Sequence, residues 1–347
     1  NLTRLVQTML PPTLPIMNES ASKRKNSSTA RAQAYVALGK FCLRDETLAK
    51  DAINIFSREL QQEDNISMEH ITIKSNALIV MGDLCIRYTN LVDKHLPVIA
   101  ACMQSGVEFA KSDANEKQSN EMKNFAIIRK HAVLLISSLI LQDYIKWRGL
   151  LLYRFLVATT DDDVGVANTA KMTLCGPLLF RYPNLFVNNF VESMFVLNGC
   201  SAHPIHATVT SNSDNGRKNG IRFEDIHLST ENARDRRIKI YEMMLSKLSD
   251  EAKIHVTSRL VKEILAVALE TRGDLNVACK KLLQSDQLQG SFRQHHTRAA
   301  NVIIDAFTVL NNPLMRVGRS YKNCHLNEVD TIVDSKLSAS AQMAVAK

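Results

Sequence analysis

The chain has 347 residues, a formal charge of +8 at pH 7, 45% hydrophobic residues and 22% charged residues. This is the composition of an ordinary globular protein, so global disorder is excluded. The length predicts about two domains. Gly (12) and Pro (8) are scarce and aromatic residues make up 6%, so a turn-rich all-β protein is disfavoured and helix is favoured. The longest apolar run, 132–140, is too short for a bilayer, which takes about 20 residues.

Four segments of the sequence can be superposed on one another, which predicts a repeat protein. The segments are 31–39, 74–82, 129–137 and 167–175, so successive copies are 43, 55 and 38 residues apart. Two of these offsets are close to the period of about 40–47 residues that is typical of paired-helix HEAT and armadillo units. The longest offset contains the polar stretch 105–123, which we interpret as a loop insertion.

Each copy carries apolar residues at helical spacing, i, i+4, i+7, i+8 and i+11, as a half-buried helix requires. In chain order the four stripes are Ala30, Ala34, Ala37, Leu38 and Phe41; Ile73, Ala77, Val80, Met81 and Leu84; Ile128, Ala132, Leu135, Ile136 and Leu139; and the weaker Val166, Ala170, Thr173, Leu174 and Pro177. The second residue of each stripe is alanine, and its small side chain predicts that two helices cross closely there.

A second apolar helix is predicted after each first helix, near 48–60, 91–103, 144–157 and 185–197. Ser27 and Ser28 are predicted to cap the first helix of the first pair, because their hydroxyls can accept from free backbone N–H groups. Pro177 is predicted to kink the first helix of the fourth pair, and Pro183 to mark its end.

The repeat pattern organises only the middle of the chain. We expect a partly flexible N-terminal segment over 1–28, four HEAT-type pairs over 29–198, a polar loop or disordered insertion over 199–232, a fifth pair over 233–270, and helical pieces without a clear register over 271–347. The fifth pair has two predicted faces: Ile238, Tyr241, Leu245 and Leu248, then Val261, Ile264, Leu265 and Ala268. The predicted fold is all-α, a HEAT-repeat α-solenoid or armadillo-like superhelix.

No catalytic, cofactor-binding or metal-binding residue is predicted. Residues 216–220 lack the spacing of a phosphate-binding loop, and neither GxSxG nor HExxH occurs. Cys200, His203, His206 and His227 form an incomplete zinc pattern and are interpreted as loop residues. The run 161–163 of three aspartates allows acid–base or cation chemistry, but helix capping explains it more simply.

The seven cysteines include no CxxC pair. Cys42, Cys85 and Cys175 lie within apolar helical patterns, and we interpret them as reduced core cysteines of an intracellular protein.

Two groups of residues are candidate interaction sites. Arg234, Arg236, Arg237 and Lys239 lie in a basic stretch that can neutralise DNA phosphates without reading sequence; a solvated helix start is the alternative. Tyr144, Lys146 and Trp147 open the predicted second helix of the third pair, and they are either a partner-binding anchor or inter-repeat packing.

Several stretches resemble the D-type HEAT subunits of condensin. The residues that carry the resemblance are 31–45 (RAQAYVALGKFCLRD) and 76–93 (NALIVMGDLCIRYTNLVD); 143–149 (DYIKWRG) and 236–241 (RRIKIY) narrow it to condensin II. The resemblance covers about residues 29–270.

The resemblance implies a non-enzymatic scaffold that binds the kleisin subunit, the SMC ATPase heterodimer, the second HEAT subunit and double-stranded DNA or chromatin. It implies no cofactor, no membrane, and a place on chromosomes in the nucleus during mitotic condensation. The alternative is a HEAT adaptor of the transport or phosphatase-scaffold type; an enzymatic function would require turnover by the isolated chain.

Overall fold

A computed structural model describes residues 21–62, 68–105, 116–147, 150–200, 228–230, 233–270, 277–278, 281–282 and 292–317. Over these ranges the regular elements are helices, and the fold class is all-α, a HEAT-type α-solenoid. None of the helices in this part of the chain is long and apolar enough to span a membrane. The described residues form two compact units, which are divided in sequence between Arg181 and Tyr182.

The first unit is a series of helix pairs. Its helices are α1 (Ala21–Cys42), α2 (Glu46–Gln61), α3 (Met68–Arg87), α4 (Thr89–Val92), α5 (Leu96–Ala101), α6 (Glu116–Leu141), α7 (Leu151–Ala158), α8 (Val164–Thr173) and α9 (Leu179–Arg181). Short 3₁₀ turns, Asp93–His95 and Cys102–Gln104, follow α4 and α5, and a π-helical turn, Leu174–Leu178, joins α8 to α9.

The helices of the first unit pack in two layers. In one layer α1 packs on α3, α3 on α6, and α6 on α8; in the other α2 packs on α5, and α5 on α7. The four repeated alanines Ala34, Ala77, Ala132 and Ala170 are all buried in the first layer, as predicted. Each pair therefore covers its apolar stripe with the next pair, which is how repeat proteins derive their stability.

The same contacts recur at two successive interfaces of the first layer. A Cβ atom on Gly39 would overlap Val80 and lie 2.8 Å from Val80 Cγ1, and a Cβ on Gly82 would overlap Leu135 and lie 3.0 Å from Leu135 Cδ2. In the repeat alignment Gly39 corresponds to Gly82, and Val80 corresponds to Leu135. The two interfaces therefore share one register, in which a glycine on one helix receives a side chain of the next.

The apolar stripe of the first copy is turned relative to the prediction. Ala30 and Phe41 are exposed, whereas Tyr35 and Cys42 are buried. The cause is α2, because the Tyr35 hydroxyl donates to Glu59 Oε2 at 2.7 Å and draws that side of α1 inward. The second stripe is buried as predicted, and so is the third apart from the half-buried Leu135.

Two helices begin earlier than their sequence signals suggested. α1 starts at Ala21, so residues 27–28 lie inside the helix and do not cap it, contrary to the prediction. α6 starts at Glu116, within the stretch interpreted as an insertion, of which 106–115 fall outside the described residues. Polar composition concealed both helix starts, because a polar stretch contributes little to the apolar period.

The first helix of the fourth pair is kinked at the predicted place. Pro177 lies in the π-helical turn, and Gly176 before it takes a non-helical conformation (φ −101°, ψ −105°). Proline cannot donate a backbone hydrogen bond, so the ladder opens here. The helix then ends at Arg181, just before Pro183, as predicted.

The second helix of the third pair is shorter than predicted. α6 ends in a turn in which Asp143 has a positive φ of 60°, and the N–H groups of Tyr144 and Ile145 both donate to the Leu139 carbonyl. This turn satisfies the open end of α6 and carries the chain away from helix, so α7 begins only at Leu151.

The second unit contains α10 (Leu185–Leu197), α11 (Arg234–Leu245), α12 (Asp250–Leu260), α13 (Ala266–Glu270) and α14 (Phe292–Leu310). A π-helical turn, Val261–Leu265, joins α12 to α13, and a 3₁₀ turn, Pro313–Met315, follows α14. α10 has the predicted bounds and packs on α11, α12 and α14. Buried aromatic side chains of α10 and α11, including Phe190 and Tyr241, form the core.

Candidate interaction surfaces

The predicted DNA-binding residues lie at the start of α11 and differ in exposure. Arg234 and Lys239 are exposed and Arg236 is half-buried. The Arg234 guanidinium donates to Thr308 Oγ1 of α14 at 3.2 Å. Three cationic side chains of the predicted patch therefore lie at or near the surface of the second unit.

Arg237 is not part of that surface, contrary to the prediction. Its side chain is 1% exposed and pairs with Asp305 of α14, which is 0% exposed, through an Nε–Oδ2 distance of 2.7 Å. The guanidinium also donates to the backbone carbonyl of Leu228. A phosphate cannot approach a charge that is buried and paired inside the unit, so Arg237 is a structural residue.

Asp305 is the centre of a buried polar cluster that sequence reasoning missed. Besides Arg237, Tyr241 Oη donates to Asp305 Oδ2 at 3.3 Å, and Asn198 Nδ2 donates to it at 3.0 Å. Burial, and secondarily the Asp305 charge, raises the pKa of Tyr241 well above its usual value, so this phenol remains a donor. The cluster ties α10, α11 and α14 together. Its sequence signal is an aspartate between the buried apolar residues Val302, Ile303, Ala306 and Val309.

The buried arginine also explains why the predicted face of α11 was only partly correct. Tyr241 and Leu245 are buried as predicted, but Ile238 and Leu248 are half-buried. The buried face of the helix also includes Arg237, Ile240 and Met244. A hydrophobicity pattern could not assign an arginine to the core, because its partner Asp305 lies 68 residues away in the chain.

The candidate anchor at 144–147 lies in the turn between α6 and α7, and not in a helix. The half-buried Trp147 ring contacts Phe155 of α7 edge-on, with centroids 5.6 Å apart. Tyr144 is half-buried and Lys146 is exposed. The indole thus packs against a residue of its own repeat. Its use as a partner anchor and its packing between repeats both stay predictions.

Asp161 and Asp163 are structural, and Asp163 caps a helix as the simpler interpretation predicted. Asp163 caps α8, because its Oδ1 accepts from the Val166 N–H at 2.9 Å. Asp161 receives both Nε and Nη2 of the buried Arg129, at 2.8 and 2.9 Å. Arg129 also donates to the Ser105 carbonyl at 2.9 Å, so one side chain of α6 connects the ends of the neighbouring pairs.

Cysteine and histidine residues do not assemble a metal site in the described ranges. Cys200 is buried, while His203, His206 and His227 lie outside the described residues. Where the structure describes the chain, no three His, Cys, Asp or Glu side chains are placed to hold an ion. Cys42 and Cys85 are buried thiols, as predicted, and Cys175 is only half-buried.

Comparisons with known proteins point to one family. Residues 7–60 match the family described as condensin-2 complex subunit D3-like HEAT repeats. The chain is 31% identical over 239 residues to condensin-2 complex subunit D3 of Mus musculus, which covers 69% of this chain and 14% of that protein.

Two further relatives give the same picture. Identity is 28% over 272 residues to condensin-2 complex subunit D3-L of Xenopus laevis (78% of this chain, 16% of that protein). It is 29% over 248 residues to condensin-2 complex subunit CAP-D3 of Arabidopsis thaliana (71% of this chain, 17% of that protein). The chain therefore spans a small part of the length of these relatives. No solved structure matches it.

Proposed function

Because the chain is homologous to the HEAT-repeat D3 subunits of condensin-2 over most of its length, we propose that it is a scaffolding region of such a subunit. In this function it is non-catalytic and holds the kleisin beside the SMC ATPase heterodimer and the second HEAT subunit. It works on chromosomes in the nucleus, where it contributes to mitotic condensation. The observation that carries the proposal is the similarity to D3 subunits over about 70% of the chain.

The stacked helix pairs of the first unit support a scaffolding function. Paired helices that pack only on their neighbours present long continuous faces, on which an extended partner chain can make contacts in several repeats at once. Two successive interfaces with the same register, at Gly39 and Gly82, keep those faces in a fixed relation within the unit.

Co-purification tests this proposal directly. The chain is tagged and recovered from dividing cells, and the bound proteins are identified by mass spectrometry after a high-salt wash. Recovery of SMC and kleisin chains in stoichiometric amounts supports the proposal. Recovery of transport cargo or of a phosphatase core in their place contradicts it and favours the adaptor alternative.

For DNA contact, the proposal uses Arg234, Arg236 and Lys239, without Arg237. Replacing these three residues with Glu is expected to weaken binding to duplex DNA at low salt and to flatten its salt dependence, by about 0.9 in log–log slope for each lost phosphate contact. Fluorescence anisotropy with a labelled duplex of random sequence measures both quantities. Arg237 is left intact because its substitution would disrupt the core.

A matched control carries the same change in net charge elsewhere. Lys50, Arg58 and Lys94 are exposed cations of the first unit, and replacing them with Glu reverses three charges as well. If both triple variants lose the same affinity, binding follows net charge alone. In that case the α11 residues are a solvated helix start and not a DNA-binding site.

A further inference from the structure

An apolar residue occupies the same position in all four copies of the repeat, and in three of them it is exposed to solvent. It is the sixth residue of each aligned segment: Val36, Ile79, Leu134 and Met172. The Ile79, Leu134 and Met172 side chains are 50%, 44% and 74% exposed, and Val36 is half-buried. These four residues, on α1, α3, α6 and α8, are called the outer row here.

A second row runs beside the outer row. Seven residues further along, the first three copies carry Leu43, Ile86 and Leu141, of which Ile86 is 44% exposed and the others half-buried. Seven helical residues are two turns, so on α3 and α6 the two rows are about 10.5 Å apart along the helix axes. In the first copy Leu43 lies in the turn that directly follows α1. Together they form an apolar strip that crosses the first layer of the first unit.

Packing within the unit does not account for this strip. The stripes that seal the layer are buried on the other side of the same helices, through residues such as Ala77 and Met81. A single exposed apolar residue is ordinary on a protein surface. Recurrence at one repeat position is different, because the matching interfaces at Gly39 and Gly82 place the equivalent residues of neighbouring helices side by side.

Two polar contacts fix this alignment independently of the glycines. Asn76 Nδ2 donates to the Ala32 carbonyl at 3.1 Å across α3 and α1, and Ser75 Oγ lies 3.0 Å from His131 Nδ1 across α3 and α6. In the repeat alignment Ala32 corresponds to Ser75, and Asn76 to His131. The same pair of positions therefore meets at both interfaces.

The spacing of the outer row selects an extended occupant. Packed helices lie about 8–10 Å apart. A polyproline II chain is extended, advances about 3.1 Å per residue and, with three residues per turn, presents every third side chain on the same side. A chain that crosses the helices therefore reaches the next member of the row after three residues. An apolar side chain at every third residue would contact each member in turn.

The charges around the strip favour an acidic occupant. Lys40, Lys130 and Lys171 are exposed cations on α1, α6 and α8. Against these three cations stands the exposed carboxylate of Asp83 on α3. Carboxylates between the apolar residues of an occupant would lie near the three lysines.

We propose that the outer row and its neighbouring row bind an extended acidic segment of a partner chain, with an apolar residue at every third position. The assignment deepens the scaffolding function proposed above, and rests on it only for the existence of such a partner. The test uses the purified 347-residue chain. Co-purification depends on partner chains in the cell and this assay does not, so either experiment can fail while the other succeeds.

The probe is a fluorescein-labelled peptide of four Leu-Pro-Asp repeats, which cannot form a helix, and anisotropy measures its affinity. The double variant Ile79→Ser and Leu134→Ser is expected to bind at least tenfold more weakly than the unaltered chain. The matched control is Ile304→Ser on α14, which removes an apolar side chain of similar exposure, 45%, outside the strip. It is expected to bind as the unaltered chain does. Thermal melts of all three proteins verify that the fold is intact.

Several outcomes would overturn the proposal. They are equal binding by the double variant, equal binding of a peptide with unevenly spaced leucines, and equal binding when every Asp of the peptide is Lys. Tighter binding of a helical peptide with leucines at i, i+3 and i+7 would overturn the extended conformation. Sedimentation that shows a dimer abolished by Ile79→Ser and Leu134→Ser would assign the strip to a second copy of the chain.

Discussion

Removal of the Asp305 carboxylate is expected to destabilise the second unit severely. The carboxylate is fully buried and accepts hydrogen bonds from Arg237, Tyr241 and Asn198. Asp305→Ala leaves the buried Arg237 charge without its counterion. Breaking a buried ion pair from one side costs about 3–5 kcal/mol, because the remaining charge cannot be solvated. Since domains of this size are stable by only about 5–15 kcal/mol, a large fraction of the stability of the unit would be lost.

A double variant separates the pair from its isolated charges. Arg237→Met with Asp305→Leu replaces both ions by apolar side chains of similar length, a change that is often neutral when a buried pair is removed as a whole. The double variant is therefore expected to recover most of the loss, although Tyr241 and Asn198 lose an acceptor. Urea denaturation followed by circular dichroism measures the free energy of unfolding for each protein.

The contrast with a surface pair provides the control. Lys50 and Glu46 form an exposed i,i+4 ion pair on α2, so Glu46→Ala is expected to leave the urea midpoint unchanged. The reasoning would be refuted if Asp305→Ala cost less than about 1 kcal/mol, the range of an exposed pair. It would also be refuted if the double variant were less stable than Asp305→Ala alone.

Two further predictions concern the first unit. Gly39→Ala is expected to reduce the free energy of unfolding by about 1–3 kcal/mol through overpacking. The loss should exceed that of Gly82→Ala, because the Val80 side chain that the new methyl meets is stiff at χ1, whereas the leucine facing Gly82 can rotate. Equal thermal melts for the two variants would contradict this. Burial raises the thiol pKa of Cys42 and of Cys85 to about 11, so both are expected to resist iodoacetamide at pH 8 in the folded chain and to react after unfolding. In the unfolded chain these thiols ionise near their usual pKa of 9, so their contribution to stability is complete below pH 9 and is lost as the pH rises through 11. Mass spectrometry of the labelled peptides measures how fast each thiol reacts. Equal labelling rates for both thiols in the folded and the unfolded chain would refute the expected protection.

The features that the sequence predicted well are those that depend on local periodicity. The bounds of α10, the kink at Pro177 and the burial of the four repeated alanines follow from spacing within one helix or from the repeat itself. The resemblance to condensin II D-type subunits, carried by residues such as 76–93, is confirmed by the comparisons.

The features that sequence missed depend on distant partners or on backbone geometry. Arg237 was assigned to the surface because Asp305, which pairs with it, is far away in the chain. Residues 144–147 were assigned to a helix because their composition is helical, but the turn with Asp143 at positive φ directs the chain elsewhere. The outer row was missed because the repeated exposure of its residues can be recognised only once the buried and exposed sides of each helix are known.

The recurring glycine contact bears on how the number of helix pairs in such a chain can change during evolution. Since Gly39 and Gly82 receive equivalent side chains, the helix that carries one could dock where the other docks, and loss or duplication of a whole pair would leave a workable junction. The third copy has Ser137 at this position, and its hydroxyl donates to the Leu134 carbonyl of its own helix at 2.9 Å. That junction has no glycine at the equivalent position, so we expect evolutionary insertion or deletion of pairs to be tolerated before it and selected against across it.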